Sequence, residues 1–353
     1  MSWVAACPAD GRSLFFPPFD RVPPRGALRR GTVLLECLVT GVDRAEPLLR
    51  LPLQAHAAGH LSILALPHGA FALVVAQGRQ MAHRTLRLSA AEGSGRVRLS
   101  FAWDCEAGLA RFAVEEAEGT GFACGALEVP APLALNSLTA FDAMELCACP
   151  QAELGFVAIS NQVEPVGPMP GLAARTLVDT PFGSRELASL RCGDQVMTRD
   201  GAPEPVLHVV QRVVPGFGSF APVRLRAPYF GLDRDIVVAP QQRLFLSGAA
   251  VDYTFGCEGV LVPAGYLVNG LSALAEPNLP LVHYAQALLP SHAILGSSGV
   301  WAESLYVGRL RRDDARLKAT LLAEVNPMLV PEQAKLSLPV LKRFEAQALA
   351  EVA

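Results

Sequence analysis

Charge is in short supply in this chain: Asp, Glu, Lys and Arg make up 18% of its 353 residues, and the formal net charge is −3. No block of like charge stands out. That excludes the electrostatic footprint of a nucleic-acid or anionic-membrane binder, and neither partner is expected. Lysine is scarce and arginine dominates the basic residues, beside much Ala, Gly and Pro; this pattern fits coding bias in a GC-rich genome rather than an Arg-based site. No run approaches the ~18 apolar residues of a membrane span. The start, MSWVAACPADGR, lacks the basic residues and apolar core of a secretion signal, so the default expectation is cytoplasmic, with non-classical export left open. There is no internal repeat.

Metal-site spacing is also missing. The eight cysteines, Cys7, Cys37, Cys105, Cys124, Cys147, Cys149, Cys192 and Cys257, include no C-x-x-C. Cys147 and Cys149 form C-x-C without a second ligand pair. His56 and His60 stand four apart, but AHAAGH offers no third ligand. No metal and no cofactor is expected, and most of the thiols read as buried and reduced.

What is present is apolar, at 51% hydrophobic residues, and long enough for two domains with real cores. Residues 1–30, rich in Pro and Arg, read as an irregular lead-in. Residues 31–160 are short β runs between turn residues. Arg96 to Phe101 alternates with period two, which predicts Phe101 and Phe112 inside and Arg96 and Arg98 outside an antiparallel, sandwich-like domain. A hairpin turning at Cys105–Gly108 sets Phe101 near Phe112. This hairpin has a loose likeness to jelly-roll lectins and laminin-G-type modules. Sugar binding there would draw on Asp104, Asn136 and Asp142, which also read as plain turn residues. Residues 161–170 hold three prolines and a glycine and read as a linker. Residues 171–310 return to β pattern. The tail, 311–353, has helical spacing at Leu317, Leu321 and Leu322 and at Leu341, Phe344 and Ala348, with Pro339 expected in the first turn of the last helix.

The second β region carries ordered motifs. They begin with TLVDTPFGSRELASLRCGDQVMTRDG (Thr176 to Gly201). RDIVVAPQQRLFL (Arg234 to Leu246) and LVPAGYLVNG (Leu261 to Gly270) follow, and VHYAQALLPSHAIL with WAESL completes the set. In this order they resemble the Hint domain, the all-β fold of inteins and hedgehog autoprocessing modules, of the bacterial kind. The resemblance implies autocatalytic peptide cleavage: a Cys or Ser attacks the carbonyl just upstream, and a His protonates the leaving amide nitrogen. The family's nucleophile stands five residues before the Thr of its C-x-x-x-G-T motif. With that Thr at Thr176, the nucleophile position is Gly171. The family's T-x-x-H element falls on Ala239 to Gln242, with Ala239 for the Thr and Gln242 for the His. His292 matches the later His. Glu303–Ser304 occupies the place of the His-Asn whose Asn cyclises.

Three readings follow. One is a Hint protein degenerate for self-cleavage that serves as a binding or regulatory module, with a protein or glycan partner. The second is an autoprocessing protein with another nucleophile; Cys192, Cys257 and Ser160 read more simply as turn or packing residues. The third is a carbohydrate-binding β-sandwich on a Hint-like scaffold.

Overall fold

The computed structural model describes residues 2–9, 11, 14–16, 27–54, 58–88, 94–128, 133–134, 145–146, 151–276 and 279–352. Asn136, Asp142, His56, Cys147 and Cys149 lie outside them. The chain forms two compact units, Met1–Gly167 and Pro168–Ala353.

The first unit is a β-sandwich. Its larger sheet orders Phe122–Ala126, Leu109–Glu116, Ser94–Asp104, Arg30–Thr40, Ala152–Ser160, Trp3–Pro8 and Leu14–Phe15 side by side. The facing sheet runs Glu145–Leu146, Glu46–Gln54, Ala58–Leu66, Ala70–Gln77 and Gln80–Arg87. All pairings in both sheets are antiparallel. One core joins them: Val33, Leu35, Val97, Leu99, Phe101, Phe112 and Val157 from the first, and Leu49, Leu61, Ile63, Leu73 and Val75 from the second. These are alternate residues, as a pleated strand requires. Each large apolar side chain buried in this way contributes about 1.5–3 kcal/mol. The hairpin turns over Cys105–Gly108, and Phe101 pairs with Phe112 across it.

Three expectations for this unit need correction. Arg98 is not outside: it is 3% exposed. Glu115 lies 3.8 Å from its Nε, which balances its charge under cover, and its Nη1 and Nη2 donate to the carbonyls of Ala117 and Glu116. Arg96 is partly exposed and lies 3.5 Å from Glu36. The lead-in is not wholly irregular: Trp3–Pro8 pairs with Ala152–Ser160, because its apolar run WVAAC has a sheet edge to bury against. Finally, the first part of the expected linker is tied down. Thr32 Oγ1 donates to the Gln162 carbonyl, and Glu164 N–H donates to Thr32 Oγ1. Arg111 Nη2 donates to the Glu164 carbonyl, and Gly167 N–H donates to Glu115 Oε1.

The second unit holds a six-stranded sheet ordered His208–Gly216, Leu279–Leu288, Leu172–Ala173, Ile236–Val238, Val223–Leu225 and Ala273–Ala275. A four-stranded sheet runs Val260–Pro263, Arg243–Leu246, Val300–Glu303 and Ile294–Ser297. The hairpin Leu177–Thr180 with Gly183–Glu186 turns at Gly183, whose φ of +103° suits a residue without Cβ. Leu172, Val178, Val196, Leu225, Val238, Leu244, Ala285 and Leu295 share one core.

In the tail, the longest helix is Arg343–Val352, and Asp314–Leu317 is a single turn. Pro339 lies outside the last helix. Its carbonyl accepts from Leu261 N–H, and Leu341 N–H donates back to the Leu261 carbonyl. The segment before the helix is therefore an added extended edge, where a proline costs no ladder bond. The helix buries Ala346 and Leu349 against Val251, Val260 and Val262, leaving Phe344 64% exposed instead of buried as its spacing suggested. Of the described cysteines, Cys7 and Cys37 are buried, Cys124 and Cys257 intermediate, and Cys105 and Cys192 exposed, so burial is not the rule expected of them.

Candidate functional site

Strand register brings the separated motifs together. Leu172 pairs with Val238 on one side and Ala285 on the other. One step back along the strand, Gly171 then stands between Ala239 and Gln286. The backbone bonds follow: Ala239 N–H donates to the Gly171 carbonyl at 2.7 Å, and Gln286 Oε1 accepts from Gly171 N–H at 3.2 Å and Leu172 N–H at 3.3 Å. A tight turn, Gln242 N–H to Ala239 carbonyl, swings Gln242 back over Gly171. Gln242 is buried, and a Cβ built on Gly171 would lie 2.2 Å from its Oε1 and 2.9 Å from its Cβ. Gly171 and Gln242 are thus in contact, and the second fills the space a side chain on the first would need.

The other half of the site centres on Glu303. Its main-chain carbonyl accepts from Gln242 Nε2 at 3.2 Å and from Gln286 Nε2. Its carboxylate meets His292 Nε2 at 2.7 Å and Arg243 Nη1 at 2.8 Å. His292 Nδ1 accepts the Ser337 backbone N–H at 3.0 Å, with Ser337 Oγ at 3.1 Å. An Nδ1 lone pair spent on a backbone N–H leaves the ring proton on Nε2, donated to Glu303. The Tyr306 ring meets the imidazole edge-on at 5.3 Å. Ser304 is buried, its Oγ accepting from Ala293 N–H at 3.1 Å.

Gly171, Ala239, Gln242, His292 and Glu303–Ser304 therefore converge. Thr176 is buried in the neighbouring turn; its N–H donates to the Ala173 carbonyl and its carbonyl accepts from Leu187. Three participants escaped sequence reasoning. Gln286 has a signal, a lone amide in the buried run Tyr284–Leu288. Arg243 adjoins Gln242, but nothing in the sequence pairs it with Glu303. Ser337 comes from the tail, and no local pattern directs it to His292.

The chemistry on offer is narrow. At Gly171 there is no thiol or hydroxyl. Gln242 can orient a group but exchanges no proton near neutral pH. The nearby ionisable pair, His292 and Glu303, is engaged with itself, Arg243 and the tail. Burial pushes the Tyr284 phenol far above its ordinary value, and its hydroxyl donates to the Phe220 carbonyl at 3.0 Å. Among the described residues no group of three or more His, Cys, Asp and Glu could hold a metal ion. No helix among them is long and apolar enough to cross a membrane.

Comparison with known proteins gives one family match: the Hint domain, at residues 170–309. No curated protein matches the chain. Among solved structures, the MchDnaB-1 intein is similar at 16% identity over 38% of this chain and 98% of its own, with a TM-score of 0.27. The CBM40 of Ruminococcus gnavus IT-sialidase is similar at 12% identity over 38% of this chain and 78% of its own, TM-score 0.26. Domains LG4-5 of the mouse laminin alpha1 chain align at 10% identity over 86% of this chain and 75% of their own, TM-score 0.25.

Proposed function

We propose that the Hint domain this chain carries at residues 170–309 is silent for self-cleavage, and that the protein works uncut as a binding or regulatory module. One observation carries the reading: the Gln242 amide occupies the space above Gly171 that an attacking side chain would need.

Cleavage by the family's route would need an oxygen or sulfur at residue 171 to accept the acyl group of Pro170. It would also need an acid to protonate the leaving nitrogen. General acid–base assistance is worth ~10²–10⁴ in rate. Here the acid is an amide, the acceptor is absent, and the residue at the cyclising position, Ser304, has no amide to cyclise. The two glutamines bind backbone. Gln286 and Gln242 hold the Glu303 carbonyl beside the Gly171 strand, so the module's two ends stay closed on each other without chemistry. A non-cleaving scaffold of this kind, exported or cytoplasmic, keeps its first unit attached as a permanent partner domain.

The test is restoration. Gly171→Cys alone is expected to cleave little, since its Cβ must displace Gln242. Gly171→Cys with Gln242→His is expected to release the upstream part in dithiothreitol at a clearly higher rate. Equal rates for the two variants would show that residue 242 is not the proton-donor position and would remove the basis of the reading.

A further inference from the structure

Residues 333–341 cross the second unit as a strap held at both ends. At one end Gln333 N–H donates to the Gly308 carbonyl at 2.9 Å, while its Oε1 accepts from Val307 N–H at 2.8 Å. At the other, the Pro339 carbonyl accepts from Leu261 N–H at 2.8 Å and Leu341 N–H donates to the Leu261 carbonyl at 2.9 Å. Leu338 and Val340 pack on Phe245, Leu261 and Ile294. Between the anchors the strap passes His292, where Ser337 brings two donors to one atom: its backbone N lies 3.0 Å and its Oγ 3.1 Å from Nδ1. Ser337 is exposed and the His292 side chain is 2% exposed, so the contact stands at the boundary of the core.

An imidazole nitrogen without a hydrogen has one lone pair with which to accept; once protonated it is a donor and accepts nothing. The ring proton on Nε2, 2.7 Å from Glu303 Oε1, is present in both states. Three titratable or charged groups face the ring. The Glu303 carboxylate favours a second ring proton, and Arg243, whose Nη1 lies 2.8 Å from the same Oε1, opposes it. The Tyr306 phenol ring stands edge-on at 5.3 Å. Lys335, on the strap itself, is exposed. A proton on Nδ1 meets the Ser337 N–H donor to donor. The hydroxyl can turn and accept that proton, but the backbone N–H is fixed in direction by the strap and has no such freedom.

We propose that Ser337 and His292 form an acid-released latch. Protonation of His292 turns Nδ1 from an acceptor into a donor, expels the Ser337 N–H and loosens the strap between Gln333 and Leu341, which uncovers the His292–Glu303 pair. The latch is closed while the imidazole is neutral and opens as the pH falls. It is separate from the reading of the Gly171 site, since the Gly171–Gln242 contact contains no group that titrates near neutral pH; either inference can fail alone.

Amide hydrogen exchange on the full chain tests it between about pH 8 and pH 5, the interval in which histidine changes charge. Rates are corrected for the intrinsic effect of pH on exchange and compared with Ala285, whose strand is paired on both sides. Protection of the Ser337 and Leu341 amides is expected to fall about tenfold relative to Ala285, the worth of one hydrogen bond. His292→Asn puts a carboxamide oxygen near the place of Nδ1, where it accepts the Ser337 N–H without titrating, and is expected to abolish the fall. Ser337→Ala removes the hydroxyl that can turn to receive the ring proton, and is expected to enlarge it. In the unmodified chain, the His292 ring resonances and the Ser337 amide resonance are expected to titrate with one midpoint, which tests the latch even where a variant folds poorly. The proposal is overturned if the protection ratio stays constant across the interval, if His292→Asn shows the parent's fall, or if the Ser337 amide does not follow the His292 ring.

Discussion

The two halves of the candidate site differ in what they hold. At the first half, Gly171, Ala239 and Gln242 hold only backbone groups and amides. At the second half, His292 and the Glu303 carboxylate remain paired at 2.7 Å, with Arg243 completing the charge balance. The first half thus reads as geometry without reactivity, and the second as ionisable groups without a substrate bond to act on. The contrast separates two demands on such a site. Closing the module requires that the Gly171 strand and the Glu303 carbonyl be held together, and two glutamines suffice. Cutting the chain requires a nucleophile and an acid, which glutamine cannot replace.

If that division is right, the largest loss of stability follows from touching the closure. Gln286→Leu deprives the Gly171 and Leu172 N–H groups of their acceptor and the Glu303 carbonyl of one donor. At 1–3 kcal/mol for each buried group left unmet, the expected cost is about 3–5 kcal/mol, read from the urea midpoint. A cost under about 1 kcal/mol would mean the two halves are not joined through Gln286.

The second half should respond almost as strongly. Glu303→Ala leaves Arg243 and His292 without their carboxylate, and removing one member of a buried pair typically costs about 3 kcal/mol or more. The first half should show coupling instead of simple loss. Gly171→Ala presses a methyl against Gln242 and is expected to cost about 1–3 kcal/mol. Combining it with Gln242→Gly should cost clearly less than the sum of the single changes, since both the amide and the Cβ that meet the new methyl are gone; strict additivity in this cycle would refute the contact.

Away from the site, Tyr284 supplies a pH test. Its folded pKa is raised by burial, so the stability it represents is complete below the unfolded value of about 10 and is lost as pH rises above it. Unfolding free energy should therefore fall above about pH 10 by up to about 1.4 kcal/mol per pH unit from this group, and Tyr284→Phe should flatten the fall. The smallest effect belongs to the exposed Arg312–Glu332 pair. The Arg312 guanidinium lowers the Glu332 pKa, yet Glu332→Gln should leave the midpoint unchanged, because solvent screens the pair.

Much of this was legible in the residues, for stated physical reasons. Period-two alternation placed Phe101 and Phe112 in the core and across one hairpin. The resemblance carried by the ordered motifs singled out Gly171 and Gln242, 71 positions apart, and the two are in contact. What escaped was set by tertiary cover. Arg98 alternates as an outward residue but lies under cover, where Glu115 balances its charge and two carbonyls accept from Nη1 and Nη2. Pro339 looked like a helix start, but an open sheet edge at Leu261 claimed it. Ser337 reaches His292 only because that added edge runs past it.

The most direct measurement is the intact mass of the unmodified, purified chain after prolonged incubation with dithiothreitol or hydroxylamine. The account predicts one species at the chain's own mass of 37.5 kDa, with and without the reagent. A thiol- or hydroxylamine-dependent fragment ending at Pro170 would contradict it and return the Gly171 site to the self-cleaving class.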